Sequence, residues 1–492
     1  MAIERPLRVC FIVAEYAPLA KTGGLADVAG SLSRYLAAQG HDVRPFLPGY
    51  ASVLAQTPDR EPVAALSNLV MELGPHRYPY SISTVRDPDS GLAIYLVECP
   101  ELYDRPQLYG SGSDEHRRFL LLTRAALEAC QRLAFAPDIV HCHDWHGAFA
   151  PLFLRTIYAW DELFRATRTI LTIHNLGYQG QFPAAAAADM SLGPSAHFLH
   201  QDDLRAGYVN SLRHGILYAD LVTTVSPTYA REICTPEHGM GLDGELRARG
   251  TGLRGILNGV DYRDWNPAAD RFVPHPFTAA ALQGKRAAKA ALMTRLGLIG
   301  SSRTPLMGLI SRLVWQKGID LLTDTLPEVL RGRDGCFVAL GSGEATYESA
   351  LRGLAEAFPG RVVFHRGYSE ELAHWIEAAS DIFLMPSRYE PCGLNQMYSL
   401  RYGTVPIVHR TGGLADSVAQ FDEATGEGTG ILFDNPDVVG VRWALDRSLD
   451  LYAKGKAWLT LQRNGMHRDF SAERQGALYV DTYRELTGGV GG

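Results

Sequence analysis

Arg312 and Lys317 stand in one segment, Ser311-Arg312-Leu313-Val314-Trp315-Gln316-Lys317-Gly318, directly after an apolar run that reads as a strand. Two fixed cations placed this way can clamp a diphosphate and do the work that a metal ion does in other sites. The bland alternative is a solvated surface pair, the usual fate of Arg and Lys; the preceding strand, and a glycine turn at Gly412 on the same side, favour the clamp. In Tyr389-Glu390-Pro391-Cys392-Gly393-Leu394-Asn395 a carboxylate sits at a strand-to-helix turn, with Pro391 fixing the backbone and Gly393 permitting close approach of a ligand. Glu390 there would hydrogen-bond sugar hydroxyls, the competing reading being a helix-capping acid with Pro at the first helical position. A third signal is repetition. Thr-Gly-Gly-Leu-Ala-Asp occurs as Thr22 to Asp27 and again as Thr411 to Asp416, each time after an apolar run. A strand, paired glycines and a helix start bring backbone N–H groups up to an anion, so one copy in each half predicts two α/β domains sharing one anionic ligand.

Other clusters carry weaker chemistry. His141-Cys142-His143-Asp144-Trp145-His146 invites a metal reading, but no second cluster offers Cys or His at ligand spacing. Alternation on a strand points His141 and His143 to one face; an aromatic with polar neighbours at a strand end suits a sugar, and His141 also fits a satisfied core histidine. Asp87-Pro88-Asp89 has the Asp-x-Asp pattern that metal-dependent sugar transferases use, yet it lies in a turn-rich polar stretch and reads as a solvated loop. No metal site is expected.

The elements that must position these groups are short β-branched runs alternating with amphipathic stretches. Leu7 to Val13, Leu92 to Val97, Asp138 to His141, Thr169 to His174 and Leu221 to Ser226 read as buried strands of one sheet. Pro305 to Ile310, Cys336 to Gly341, Arg361 to Phe364, Asp381 to Met385 and Val405 to Val408 read as a second, as in a doubly wound fold. The expected division is an N-terminal Rossmann-like domain over 1–260, a proline-broken linker over 261–298, a C-terminal Rossmann-like domain over 299–467, and a helical tail over 468–492 that can pack back on the first domain. The glycine-rich end, 488–492, is expected to fray. Ligands of open α/β sheets bind beyond the carboxyl ends of the strands, where nearly every polar cluster here falls, so the α/β class predicts one cleft lined from both domains.

At 492 residues the chain exceeds what one core supports. A net charge of −7 argues against a nucleic-acid protein. Seven irregularly spaced cysteines read as free thiols of a reducing compartment. The run Val9 to Ala14 is too short for a signal sequence and no stretch is long enough to span a membrane, so a cytoplasmic location with no membrane partner is expected.

Five segments in order along essentially the whole chain, Lys21 to Val28, His174-Asn175-Leu176, Ser311 to Gly318, Glu390 to Leu394 and Thr411 to Asp416, make the sequence resemble the bacterial glycogen synthases and plant starch synthases. The resemblance implies a retaining glucosyltransferase of the GT-B type, with two Rossmann-like domains, that moves glucose from ADP-glucose to the non-reducing end of an α-1,4-glucan without metal or other cofactor. It assigns Lys21 with Gly23 and Gly24 to the donor phosphate and glucose, and Asp27 to that loop or the donor. His174 falls beside the donor glucose, Arg312 and Lys317 on the diphosphate, and Glu390 on the glucose, with Cys392, Gly393, Leu394, Thr411 and Gly412 around it. Asn258 falls at the hinge side of the donor site; Asp144 and Tyr103 are candidates for lining the sugar or acceptor region. The broader superfamily often has a second glutamate reaching the donor ribose at the position of Tyr398, so a carboxylate contact to the ribose is not expected. UDP-glucose, or another acceptor, stays open on the residues alone. A Rossmann oxidoreductase is disfavoured because no Gly-x-Gly-x-x-Gly follows the first strand, and a silent glucan binder because Lys21, Arg312, Lys317 and Glu390 are all present.

Overall fold

The computed structural model describes residues 5–488; the expectation of a frayed end at 489–492 lies outside them. The chain forms two compact units, one of residues 5–259 with 472–488 and the other of residues 260–471.

In the first unit a ten-stranded sheet is found among the described residues. Its parallel part runs, in spatial order, Leu253–Gly255, Leu221–Thr224, Arg168–Ile173, Ile139–His143, Arg8–Ile12, Asp42–Pro48 and Ala93–Glu98. Arg8–Ile12 and Ile139–His143 are buried almost throughout, as cover on both faces requires. An antiparallel extension, His76–Arg86 with Leu69–Leu73 and Glu61–Pro62, continues from Ala93–Glu98. Chain order reverses between Arg8–Ile12 and Ile139–His143, so the loops leaving these neighbours diverge at their carboxyl ends and open a crevice.

Helix Gly24–Ala38 follows the first strand and buries Leu25, Val28, Leu32 and Leu36. The C-terminal helix Ala472–Leu486 lies along it. Gly476 makes that approach feasible, since a Cβ there would stand 2.1 Å from Cδ1 of Tyr35. From the same helix Tyr483 reaches His141, with 2.7 Å between its hydroxyl and Nδ1, and Gln475 grips Asn258.

The second unit is a six-stranded parallel sheet among the described residues, ordered Val362–Arg366, Cys336–Gly343, Leu306–Leu313, Ile382–Met385, Val405–His409, Ile431–Phe433. Its reversal falls between Leu306–Leu313 and Ile382–Met385, whose following loops carry the two charged segments.

Residues 261–298, read from sequence as a linker, are part of this unit. Their prolines do interrupt regular structure, but the apolar residues between them are anchors. Trp265 is sandwiched between His374 and Tyr398, with ring centroids 3.8 and 3.9 Å away and planes within 9°. Asp270 is ion-paired to His374 at 2.6 Å and accepts from the Tyr402 hydroxyl. Lys289 of helix Gln283–Arg295 pairs with Asp381 at 2.7 Å. Asp87, read as part of a solvated loop, is buried instead. It pairs with Arg34 at 3.2 Å and accepts from the backbone and hydroxyl of Ser90, because turn polarity in sequence does not reveal an interior cation.

Candidate active site

The second unit builds its cluster from two loops at the chain reversal. Strand Leu306–Leu313 carries Arg312, exposed, into its last residues. The following turn, Trp315–Lys317, ends at Gly318 with φ +64, and a Cβ there would lie 2.2 Å from the Pro386 carbonyl oxygen. Only glycine lets this turn seat against the loop after Ile382–Met385. Gln316 stitches the two together, its side-chain N–H donating to the Tyr389 carbonyl at 3.1 Å and its own carbonyl accepting from the Arg388 N–H at 2.8 Å. Lys317 Nζ thereby comes 2.5 Å from Oε2 of the buried Glu390, which also accepts from the Ser387 hydroxyl at 3.0 Å.

The second glycine turn supports this carboxylate from behind. Gly412 has φ +43, and a Cβ there would meet the Glu390 carbonyl oxygen at 1.9 Å; one on Gly413 would meet that of Cys392 at 2.3 Å. The Gly413 N–H donates to the carbonyls of Glu390 and Pro391. Thr411 is the buried residue before helix Gly412–Ser417, Cys392 is a buried free thiol, Gly393 has φ +70, and Leu394 precedes helix Asn395–Arg401. Tyr398, stacked on Trp265, is committed to the core.

The first glycine turn differs. The buried Glu15 carboxylate accepts from the Thr22 N–H at 2.6 Å, the Thr22 hydroxyl at 2.6 Å, the Gly23 N–H at 3.2 Å and the Tyr109 hydroxyl at 2.7 Å. The expectation that both repeats aim their backbone N–H groups at a ligand is therefore corrected for Thr22, Gly23 and Gly413, whose N–H groups are used inside the protein. Lys21 pairs with Asp27 at 2.7 Å, so Asp27 holds the Lys21 ammonium over the N-terminus of the helix that starts at Gly24.

Beside this lies the histidine cluster. Asp144 has φ +52, a conformation that Asp tolerates better than most residues. Its Oδ1 accepts from the His174 N–H at 2.7 Å and the Asn175 N–H at 3.4 Å, so it holds the His174 turn. Burial pushes the Asp144 carboxyl up to about 7, the two N–H bonds oppose this, and the nearby Glu15 charge adds to it. His174 Nε2 is 2.9 Å from His143 Nδ1, and desolvation pushes His174 down to about 3, leaving it neutral near pH 7. His141 is a satisfied core residue, between Tyr483 and the Thr172 hydroxyl. Trp145 is half-buried, with Gly180 (φ +61) flat against its ring.

Two further sequence candidates are buried. Tyr103 is fully buried in the first unit's core with its hydroxyl on the Arg118 carbonyl at 2.6 Å, a packing role that its Tyr type hid. Asn258 is also buried, and its side-chain oxygen accepts from Gln475 at 3.1 Å. Sequence reasoning missed the duty of Glu15, although an acid closely following the mostly apolar strand Arg8–Ile12 was its visible signal. Ser387, Gln316 and Tyr109 carried none. Among the described residues no group of three or more His, Cys, Asp or Glu could hold a metal ion, and no helix is long and apolar enough to cross a membrane.

A family model described as starch synthase catalytic domain matches residues 8–248, and one described as glycosyl transferases group 1 matches residues 304–450. The glycogen synthase of Koribacter versatilis is 42% identical over 485 residues, spanning 97% of this chain and 98% of its own. That of Myxococcus xanthus is 44% identical over 486 residues, spanning 98% and 99%. The chain belongs to the glycogen synthase family. A solved glycogen synthase relative, the catalytic domain of starch synthase IV from Arabidopsis thaliana bound to ADP and acarbose, superposes with a TM-score of 0.90 at 36% identity over 98% of this chain and 100% of that one. A sucrose-phosphate synthase from Thermosynechococcus elongatus, 17% identical with a TM-score of 0.62, shares the fold. Both units thus carry glycosyltransferase domains of the GT-B class, and the established activity of the glycogen synthase family is glucosyl transfer in glycogen synthesis.

Proposed function

We propose that this chain transfers glucose from ADP-glucose to the non-reducing end of an α-1,4-glucan with retention of configuration, and that no metal ion takes part. The carrying observation is the Lys317–Glu390 pair, 2.5 Å apart at the second unit's chain reversal. It presents a cation for a diphosphate and a carboxylate for sugar hydroxyls from one pair of interlocked loops, the two chemistries that a nucleotide sugar combines. An ammonium has three donors, so Lys317 can keep Glu390 while meeting a phosphate oxygen. Arg312 adds the second cation, and ADP is favoured over UDP because the Arabidopsis relative was solved with ADP.

In this reading the bond between the anomeric carbon and the phosphate oxygen breaks while the acceptor hydroxyl attacks from the same face, and the acceptor's proton passes to the departing phosphate. Arg312 and Lys317 stabilise the charge that develops on ADP. Lys21 serves the donor phosphate and glucose from beside the Gly23-Gly24 turn, with Asp27 holding Lys21. Neutral His174 sits beside the glucose, where an imidazolium would oppose the positive charge building at the anomeric carbon. Glu390 and the backbone around Cys392, Gly393, Leu394, Thr411 and Gly412 hold the sugar side of the donor. Glu15 and Asp144 accept backbone N–H bonds, which argues against either as a covalent nucleophile. A cytoplasmic location is supported by seven free cysteines.

The test is incubation with glycogen and ADP-glucose or UDP-glucose, each with a chelator, following nucleoside diphosphate release and glucose incorporation. Incorporation from ADP-glucose that survives chelation is expected. Preference for UDP-glucose would overturn the donor, loss on chelation the metal independence, and no transfer from either the whole reading.

A further inference from the structure

His143 contributes an unusual polar group to the interior of the first unit. Its ring is completely buried, packed on Phe11 at 4.4 Å and on His141 at 4.1 Å between centroids, and its Nε2 has no hydrogen-bond partner. Its Nδ1 makes one bond, 2.9 Å to Nε2 of His174. One proton is shared between these two nitrogens, so the tautomers of the rings are locked together. If His174 donated, His143 would carry its own proton on Nε2 and strand a buried N–H donor against two rings. If His143 donates, its Nε2 is only a bare acceptor. Orphaned buried N–H groups are the rarer and costlier of the two. The other nitrogen of His174, Nδ1, has no partner among the described residues and is not enclosed.

We infer that His143 is a positioning residue that fixes His174 as the Nδ1–H tautomer, so that His174 offers a hydrogen-bond donor, and not a lone pair, to a substrate oxygen. The backbone and the ring of His174 are then held separately: Asp144 fixes the turn through two N–H bonds, and His143 fixes the rotamer and the proton. Nothing in the arrangement supplies a second partner that could reverse the proton, since the His141 nitrogens are occupied by Tyr483 and Thr172. A donor at this place suits a sugar hydroxyl oxygen whose position governs how the glucose ring is presented. The assignment of that substrate rests on the glucosyl-transfer reading; the tautomer does not.

The deciding measurement is long-range proton–nitrogen NMR on protein labelled with nitrogen-15 at histidine, with the His174 signals assigned by their loss in His174→Gln. Proton-bearing Nδ1 and bare Nε2 on His174 are expected; the reverse overturns the inference whatever the enzyme's activity. The kinetic arm compares His143→Asn, whose side-chain amide can donate from the Nδ1 position, with His143→Leu, which cannot. Turnover in His143→Leu should fall about tenfold to a hundredfold at little-changed donor KM, the range typical for loss of an orienting partner, while His143→Asn keeps most of it. Equal loss in both, or loss that tracks melting temperature alone, would reduce His143 to a packing residue.

Discussion

Lys317 and Arg312 are expected to serve one diphosphate, yet the structure separates what each does for the folded chain. The Lys317 and Glu390 side chains are 18% and 6% exposed, whereas Arg312 is exposed. Lys317→Ala leaves Glu390 buried with the Ser387 hydroxyl as its remaining side-chain partner. Breaking a buried pair from one side costs about 3–5 kcal/mol, and partial exposure of the lysine lowers that to about 2–4 kcal/mol. For a unit of this size each kcal/mol moves the melting temperature by about 2–4 °C, so the second unit should melt about 5–15 °C lower. Turnover with ADP-glucose should also fall about 100- to 1000-fold, the usual loss when one preorganised charge is removed from a developing anion. Arg312→Ala should lose turnover on the same scale with a melting temperature within about 2 °C of the parent, because an exposed side chain, even a paired one, contributes little to stability. Calorimetry beside initial rates of ADP release reads both quantities. The double variant Lys317→Ala, Glu390→Gln should recover part of the lost stability, since no charge is then stranded, and none of the activity. The reasoning fails if Lys317→Ala melts like the parent, or if Arg312→Ala keeps turnover within about threefold.

Three further outcomes follow from local geometry. Asp144 has a folded-state pKa near 7, above its unfolded value near 3.8, so it costs stability increasingly as pH rises through that window; Asp144→Asn should be more stable than the parent above about pH 7, with the difference fading towards pH 4, as pH-dependent thermal melts would show. Gly412→Ala puts a methyl carbon 1.9 Å from the Glu390 carbonyl oxygen at φ +43; displacement of Glu390 should cut turnover at least tenfold, and parent-like rates would show that this contact is not needed. Trp265→Ala removes a ring held between His374 and Tyr398 and should destabilise the second unit by about 3–5 kcal/mol in denaturant unfolding; a loss below about 1 kcal/mol would mean that residues 260–298 are loosely attached.

The strands that carry the motifs were legible because parallel strands covered on both faces are mostly apolar, and Ile170, Leu171 and Ile173, like all of Ile382–Met385, could hardly read otherwise. Hidden were the features decided by distant partners. Asp42–Pro48 contains Arg44 and Pro45 and lacks the pattern, but pairing with both Arg8–Ile12 and Ala93–Glu98 holds it in the sheet. At the candidate site the sequence singles out Lys317, Glu390 and Gly412, which the structure brings together as an ion pair backed by a glycine turn. Duties assigned by contact alone were not legible. Glu15 and Asp144 accept backbone N–H groups and Tyr103 spends its hydroxyl on the Arg118 carbonyl, contacts that no sequence pattern announces.

Helix Ala472–Leu486 completes the first unit although the whole second unit lies between it and residue 259. On a ribosome working at about 5–20 residues per second, roughly two hundred intervening residues take about 10–40 s to synthesise. Throughout that interval the nascent first unit waits with Tyr35 and His141 uncovered on a face that helix Ala472–Leu486 will close. Folding of the amino-terminal half is therefore finished only once helix Ala472–Leu486 has been made. A chain cut short before residue 472 would keep its second unit whole while its first stays open, a lesion far in sequence from the part it damages.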